Sequence, residues 1–193
     1  MLKIKIDFKS FFRKGLKKRN EDFEVALITG YMGSGKSYFG VYKTEQTNRN
    51  VFTNMLSYHS SNRDIKYFHD CSDIVSNDDP DLVFLIDECS KWYPKDSKQD
   101  KAFYEWLQHS RKSNRYVFLI FQEYLMIPQW IRGVATRVYT TSKVPLLPVH
   151  LTSYGIPILD PETKEWGVQE LLLILYKRNK KIADLYDTSE SIL

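Results

Sequence analysis

Short, unbroken apolar runs alternate with amphipathic or polar segments along this chain. Val25-Ala26-Leu27-Ile28, Leu82-Val83-Phe84-Leu85-Ile86 and Tyr116-Val117-Phe118-Leu119-Ile120-Phe121 have no polar interruption. Runs of that length, rich in β-branched and aromatic residues, suit strands covered on both faces, as the central strands of a parallel sheet must be. Between them lie segments of helical character. Tyr38 to Gln46 follows the first run, and Phe103, Trp106 and Leu107 mark an i, i+3, i+4 stripe within 101–112. The alternation predicts an α/β domain with a mostly parallel sheet flanked by helices.

The remaining segments are less sharply specified. Asn48 to Met55 predicts a turn and a short parallel strand, Ile65 to Phe68 either a strand end or the start of a crossover, and 69–80 a weak helix followed by a turn. Met126 to Gly133 predicts a short helix with Pro128 in its first turn, and Val134 to Thr141 another strand. Beyond Pro145 the texture changes. Leu146 to Leu159, a turn at 160–167 and a long run from Val168 or Glu170 to Lys177 predict antiparallel strands added at the C-terminal edge of the parallel core.

One loop carries chemistry. Gly30-Tyr31-Met32-Gly33-Ser34-Gly35-Lys36-Ser37 has the form G-x-x-x-x-G-K-[ST] and stands between an apolar strand and a helix that opens at Tyr38. In such a loop glycines let main-chain N–H groups converge on phosphate oxygens, the lysine reaches the terminal phosphates and the hydroxyl holds magnesium. The order of strand, loop and helix makes a chance glycine-rich turn the poorer account. Residues Gly30 to Tyr38 are therefore the expected nucleotide site, with ATP and magnesium the expected ligands.

The run 82–86 ends in Asp87-Glu88. Alone, an acidic pair at a strand end is a common solvated turn. Downstream of a phosphate loop it predicts a magnesium-orienting aspartate, Asp87, which shares the ion with Ser37, and a general base, Glu88, for the attacking water. Gln122 ends the third buried run and is either a γ-phosphate or water contact in the ligand crevice of the sheet, or a plain turn residue. Arg111 and Arg115 either complement the carboxyl end of the 101–112 helix or reach a nucleotide as an arginine finger in the same subunit or a neighbouring one, and Arg137 is a further finger candidate.

Charge is uneven. The first twenty residues hold eight basic residues against Asp7 alone, a net of +7, whereas the remainder, with 20 basic and 23 acidic residues, is −3. Phe8, Phe11, Phe12 and Leu16 recur among those lysines at helical spacing. Residues 1–22 thus read as a basic extension, an amphipathic helix that either packs on the domain or meets nucleic acid or anionic lipid, and 23–193 as the phosphate-loop domain. Lys177-Arg178 and Lys180-Lys181 are either a nucleic-acid path or a charged hairpin. Cys71 and Cys89 lack metal spacing and suit a reducing compartment, and His59, His69, His109 and His150 are too scattered to assign to a metal. No stretch approaches the roughly 20 apolar residues of a membrane span.

The order of phosphate loop, Asn-ending strand (Val51-Phe52-Thr53-Asn54), Leu85-Ile86-Asp87-Glu88, His109 and Arg111 before a buried strand, Gln122, Ile131-Arg132 and Tyr186-Asp187-Thr188 resembles the zonula occludens toxin (Zot)-like ATPases of the FtsK–HerA class, over about residues 23–188. That resemblance implies a RecA-like core, ATP hydrolysis in a homo-oligomeric ring, commonly a hexamer, and DNA in a central channel. It also implies a viral role, either genome packaging or filamentous-phage assembly and secretion at a membrane. The chain ends at Leu193 without the membrane span usual in the assembly proteins, so the expectation is a packaging motor for viral DNA in the host cytoplasm, docked at a capsid or inner membrane or carried by the virion. A nucleotide-dependent switch without motor activity is the alternative of a different kind.

Overall fold

The computed structural model describes residues 23–60, 62–77, 79–144, 149–177 and 179–186. The predicted basic helix within 1–22, Arg178, Asp187-Thr188 and the segment 145–148 lie outside them.

Among the described residues eight strands form one sheet. In chain order they are β1 (Glu24–Thr29), β2 (Asn50–Thr53), β3 (Ile65–Tyr67), β4 (Leu82–Ile86), β5 (Tyr116–Ile120), β6 (Arg137–Lys143), β7 (Val149–Leu159) and β8 (Trp166–Lys177). Across the sheet the order is β3-β2-β4-β5-β1-β6-β7-β8. The first six of that order run parallel, β7 pairs antiparallel with β6, and β8 antiparallel with β7. The mostly parallel sheet with an antiparallel C-terminal edge is the architecture expected from the pattern.

The continuous apolar runs are explained by two cores. Side chains alternate across the sheet with period two. Val25 and Leu27 of β1, Phe84 and Ile86 of β4 and Val117 and Leu119 of β5 face one core, closed by α2 (Cys71–Val75), α3 (Lys101–His109) and α4 (Gln129–Arg132). Ala26 and Ile28, Val83 and Leu85, and Phe118 and Ile120 face the other, closed by α1 (Lys36–Thr47) with α5 (Lys180–Ala183) packed beside it. The expected stripe of α3 is real: Phe103, Trp106 and Leu107 are all buried. Asp100 starts that helix by accepting from Phe103 N–H at 3.1 Å, as an N-cap aspartate should.

Several boundaries differ from the sequence reading. The segment 65–67 is a strand, the outermost of the parallel set, and β6 begins three residues late, at Arg137. Pro128 precedes α4 as its cap and does not enter its first turn. The hairpin turn ends sooner than expected, since β8 starts at Trp166; Asp160 Oδ1 organises that turn by accepting from the N–H groups of Glu162 and Thr163. The basic group near 177–181 is not a hairpin. Lys177 ends β8, and Asn179 caps α5 by accepting from Lys181 N–H at 3.0 Å.

Candidate nucleotide site

The carboxyl ends of the parallel strands converge on one edge of the sheet. β1 delivers the 30–37 loop there, β4 delivers Asp87, and β5, hydrogen-bonded between them, delivers Gln122. The loop turns at glycines whose φ angles, 148° at Gly30, 73° at Gly33 and 93° at Gly35, lie where side chains are disfavoured. Gly30 has a second reason to be glycine: a Cβ there would stand 2.4 Å from the Thr141 carbonyl oxygen and 2.5 Å from Ser34 Oγ. The loop is held by Gly30 N–H donating to the Gln122 carbonyl at 3.0 Å and by Ser34 Oγ at 2.8 Å from Thr141 Oγ1 on β6.

Helix α1 then starts with no side-chain cap and no acidic residue in its first turn. The first-turn N–H groups of Lys36 and Ser37 therefore stand at a positive helix end, which suits an anion. Lys36 Nζ donates to the Tyr31 carbonyl at 3.1 Å, curling its side chain over the loop. Burial lowers its ammonium pKa, against the opposing pull of Asp87 and Glu88. Of the remaining loop residues, Tyr31 and Met32 expose 76% and 89% of their surface, so they contribute main chain to the loop while their side chains stand in solvent. Tyr38 does the opposite. Its ring is buried and its hydroxyl accepts from Asn179 N–H at 2.7 Å, which ties α1 to the residue that caps α5.

Ser37 Oγ donates to Asp87 Oδ2 at 2.8 Å, joining the loop to β4. Asp87 is buried, and burial raises its pKa against the lowering effect of the Ser37 hydroxyl and the Glu88 N–H. Glu88 follows with φ 50°, a left-handed conformation uncommon for a glutamate, and its N–H donates to Asp87 Oδ1 at 2.8 Å. Its carboxylate is half-exposed and pairs with Lys91 Nζ at 3.3 Å. Ser37 and Asp87 offer two hard oxygens, and among the described residues no group of three or more His, Cys, Asp or Glu side chains is arranged to hold a metal alone. Two protein oxygens fit magnesium, which keeps waters and phosphate oxygens in its shell, and do not fit zinc.

The arginines are not brought to this edge. Glu24 N–H, at the start of β1, donates to the Arg115 carbonyl at 3.0 Å, and the Arg111 guanidinium lies 5.9 Å from the centre of the Phe23 ring. Both therefore sit at the amino-terminal end of β1, about 17 Å from the loop by strand rise. Arg115 is buried against Trp106, 5.0 Å from the ring centre, whereas Arg111 is exposed. Arg137 opens β6 level with Ala26, donates to Tyr154 Oη at 2.7 Å and lies 3.7 Å from Glu24 Oε1. In this chain none of the three reaches its own loop; the reason is that each lies before or at the start of a strand, while the loop follows the end of one.

Three residues of the site were not assigned to it from sequence. Asn54, the residue after β2, clamps Asp87 with both arms of its amide: Nδ2 donates to the Asp87 carbonyl at 2.9 Å and Oδ1 accepts from its N–H at 2.8 Å. Its place at the end of an apolar strand was the available signal. Thr141 and His150 contact Ser34 across 107 and 116 residues, and no local pattern marks them.

The sequence model of the zonular occludens toxin (Zot) family matches residues 59–189. The chain belongs to the Zot family. The matched span of this Zot-family protein includes Asp87, Glu88, Gln122 and His150, while the phosphate loop precedes it. Among solved structures, the N-terminal domain of zonular occludens toxin from Neisseria meningitidis is similar over 85% of this chain and 98% of its own, at 20% identity and TM-score 0.60. The genome packaging NTPase B204 of Sulfolobus turreted icosahedral virus 2, in complex with ATP-gammaS, covers 79% of this chain and 100% of its own, at 13% identity and TM-score 0.51. The RadB recombinase covers 81% and 88%, at 13% identity and TM-score 0.52. At these identities the likeness is one of fold, a RecA-like core. No curated protein sequence matches the chain.

Proposed function

We propose that this Zot-family protein is a magnesium-dependent ATPase that couples hydrolysis to the movement of viral DNA, working as a hexameric ring. The catalytic part is carried by the 2.8 Å hydrogen bond between Ser37 and Asp87, which brings the hydroxyl and carboxylate that would share magnesium to one point beside the loop. When bound there, magnesium supplies charge neutralisation at the β- and γ-phosphates. The loop N–H groups and Lys36 hold the phosphates, Gln122 orients the attacking water from the end of β5, and Glu88 accepts that water's proton once its carboxylate leaves Lys91. Arg111, exposed and remote from its own loop, is the arginine offered to a neighbouring subunit's γ-phosphate.

The ring is supported by surface chemistry. Leu171, Leu173 and Leu175 are each about half-exposed, at 49%, 58% and 53%, on β8 at the edge of the sheet, an apolar stripe that a second subunit can remove from water. DNA is supported by Lys177, Lys180 and Lys181, exposed around the β8–α5 junction and joined to α1 through Asn179 and Tyr38. It is also supported by the similarity to a packaging NTPase. We place the motor in the host cytoplasm, docked at a capsid or the inner membrane. Among the described residues no helix is long and apolar enough to cross a membrane. Zot-family membership favours a second reading, an assembly or secretion ATPase recruited to a membrane by other proteins.

The test is ATP hydrolysis with magnesium, measured without DNA and with single- or double-stranded DNA, while oligomer mass is followed. A ring that turns over faster on one form of DNA is expected. Hydrolysis indifferent to both forms refutes the motor, and no hydrolysis refutes the enzyme.

A further inference from the structure

We propose that, given the nucleotide-binding reading on which this rests, His150 of β7 is a positioning residue that holds the Ser34–Gly35 peptide in its phosphate-binding orientation. His150 Nδ1 lies 3.0 Å from the Ser34 carbonyl oxygen. A carbonyl only accepts, so Nδ1 carries the proton and donates. In a trans peptide the C=O and the following N–H point in opposite directions, so anchoring the Ser34 carbonyl toward β7 aims Gly35 N–H away from it, into the concavity of the loop.

Packing gives a second, independent contact. A Cβ on Gly35 would stand 3.0 Å from His150 Nδ1 and 3.1 Å from its Cε1, so the ring occupies the space that only glycine leaves open. The ring itself is fixed. It stacks on Tyr38 at 6.3 Å and 16° and on Tyr176 at 5.7 Å and 18° between centroids and planes, and its strand is registered against β6, where Lys143 faces His150. β6 also supplies Thr141 to the Ser34 hydroxyl at 2.8 Å. The antiparallel extension thus grips one loop residue at both its side chain and its carbonyl. A loop that must order itself on binding loses affinity; a loop held in place keeps it.

The donor and the ring can be separated by substitution. His150→Phe keeps the stacking aromatic and removes the donor, while His150→Asn keeps a donor near the Nδ1 position and removes the ring. Titration with ATPγS and magnesium, with thermal melting as a check that each variant is folded, should show about tenfold weaker binding for His150→Phe, the range of one neutral hydrogen bond. His150→Asn should bind within about threefold of the wild type. Equal affinity of His150→Phe and wild type overturns the proposal, as does a His150→Asn variant no better than His150→Phe. Failure of the wild type itself to bind overturns the nucleotide reading instead, so the two failures are distinct.

Discussion

The Ser37 hydroxyl donates to Asp87 Oδ2 at 2.8 Å across fifty residues of chain. That bond exists because β5 lies between β1 and β4, so the loop after β1 and the carboxylate after β4 project from the same edge of the sheet, two strand positions apart. It holds Asp87 buried beside the loop that carries Lys36.

Asp87 should therefore cost stability and supply activity. Burial raises its pKa above that of the unfolded chain, so the folded protein binds the proton more tightly. The sign follows: the contribution of this group to stability is present at low pH and is lost as pH rises from the ordinary carboxylate range through the raised value. Asp87→Asn should match or exceed the wild type in melting temperature, with an advantage that grows as pH rises across that window, while magnesium-dependent hydrolysis falls by at least about 100-fold. Melting curves from pH 4 to 8 check this; an advantage that shrinks with pH contradicts the assigned burial cost.

Glu88→Gln should abolish turnover and spare ATP binding. The substitution removes the proton acceptor and keeps the shape, and the half-exposed Glu88–Lys91 pair contributes little to stability in water. Hydrolysis should drop by about 100-fold or more while the Kd for ATP stays within about threefold. Turnover at the wild-type level would show that another group is the base.

Asn54 holds Asp87 by its main chain, so its loss should act on both stability and rate. Asn54→Ala strands a buried N–H and a buried carbonyl, which costs about 1–3 kcal/mol. Because Asp87 is then free to shift, the rate should fall further than the loss of folded protein accounts for. Urea unfolding alongside hydrolysis per folded molecule measures the two parts. An unchanged rate per folded molecule would reduce Asn54 to a structural residue.

The loop between β1 and α1 was legible in sequence because its glycines, lysine and hydroxyl are contiguous, all within Gly30 to Ser37. Asp87 was legible because a buried apolar run ends on it, which fixes it at a strand terminus before any topology is known. The parallel core was legible for the same reason, since runs such as 82–86 are apolar at every position only when both faces are covered. Thr141 and His150 were not. Their contacts depend on the register of β6 against β1 and of β7 against β6, which no local pattern specifies. The position of the arginines was not legible for a related reason. A basic residue before a strand and one after it look alike along the chain, but the sheet sends them to opposite edges.

Arg137 shows how a structural role can be told from a catalytic one. Glu24 is buried with Lys43 Nζ at 3.2 Å, Arg137 Nε at 3.7 Å and Tyr139 Oη at 2.8 Å from its carboxylate, so one acid holds two cations and a phenol under the sheet. Removing one partner of a fully buried pair costs about 3–5 kcal/mol. Lys43 and Arg137 keep 19% and 22% of their side-chain surface in water, so the cost here should be smaller, about 2 kcal/mol. Glu24→Gln and Arg137→Met should both be destabilised by about that amount in urea unfolding, and the double variant should be less destabilised than the two single losses together, because the Glu24–Arg137 interaction is lost only once. Hydrolysis per folded molecule should be unchanged in all three. A drop in that rate for Arg137→Met at normal stability would return Arg137 to the nucleotide as a finger.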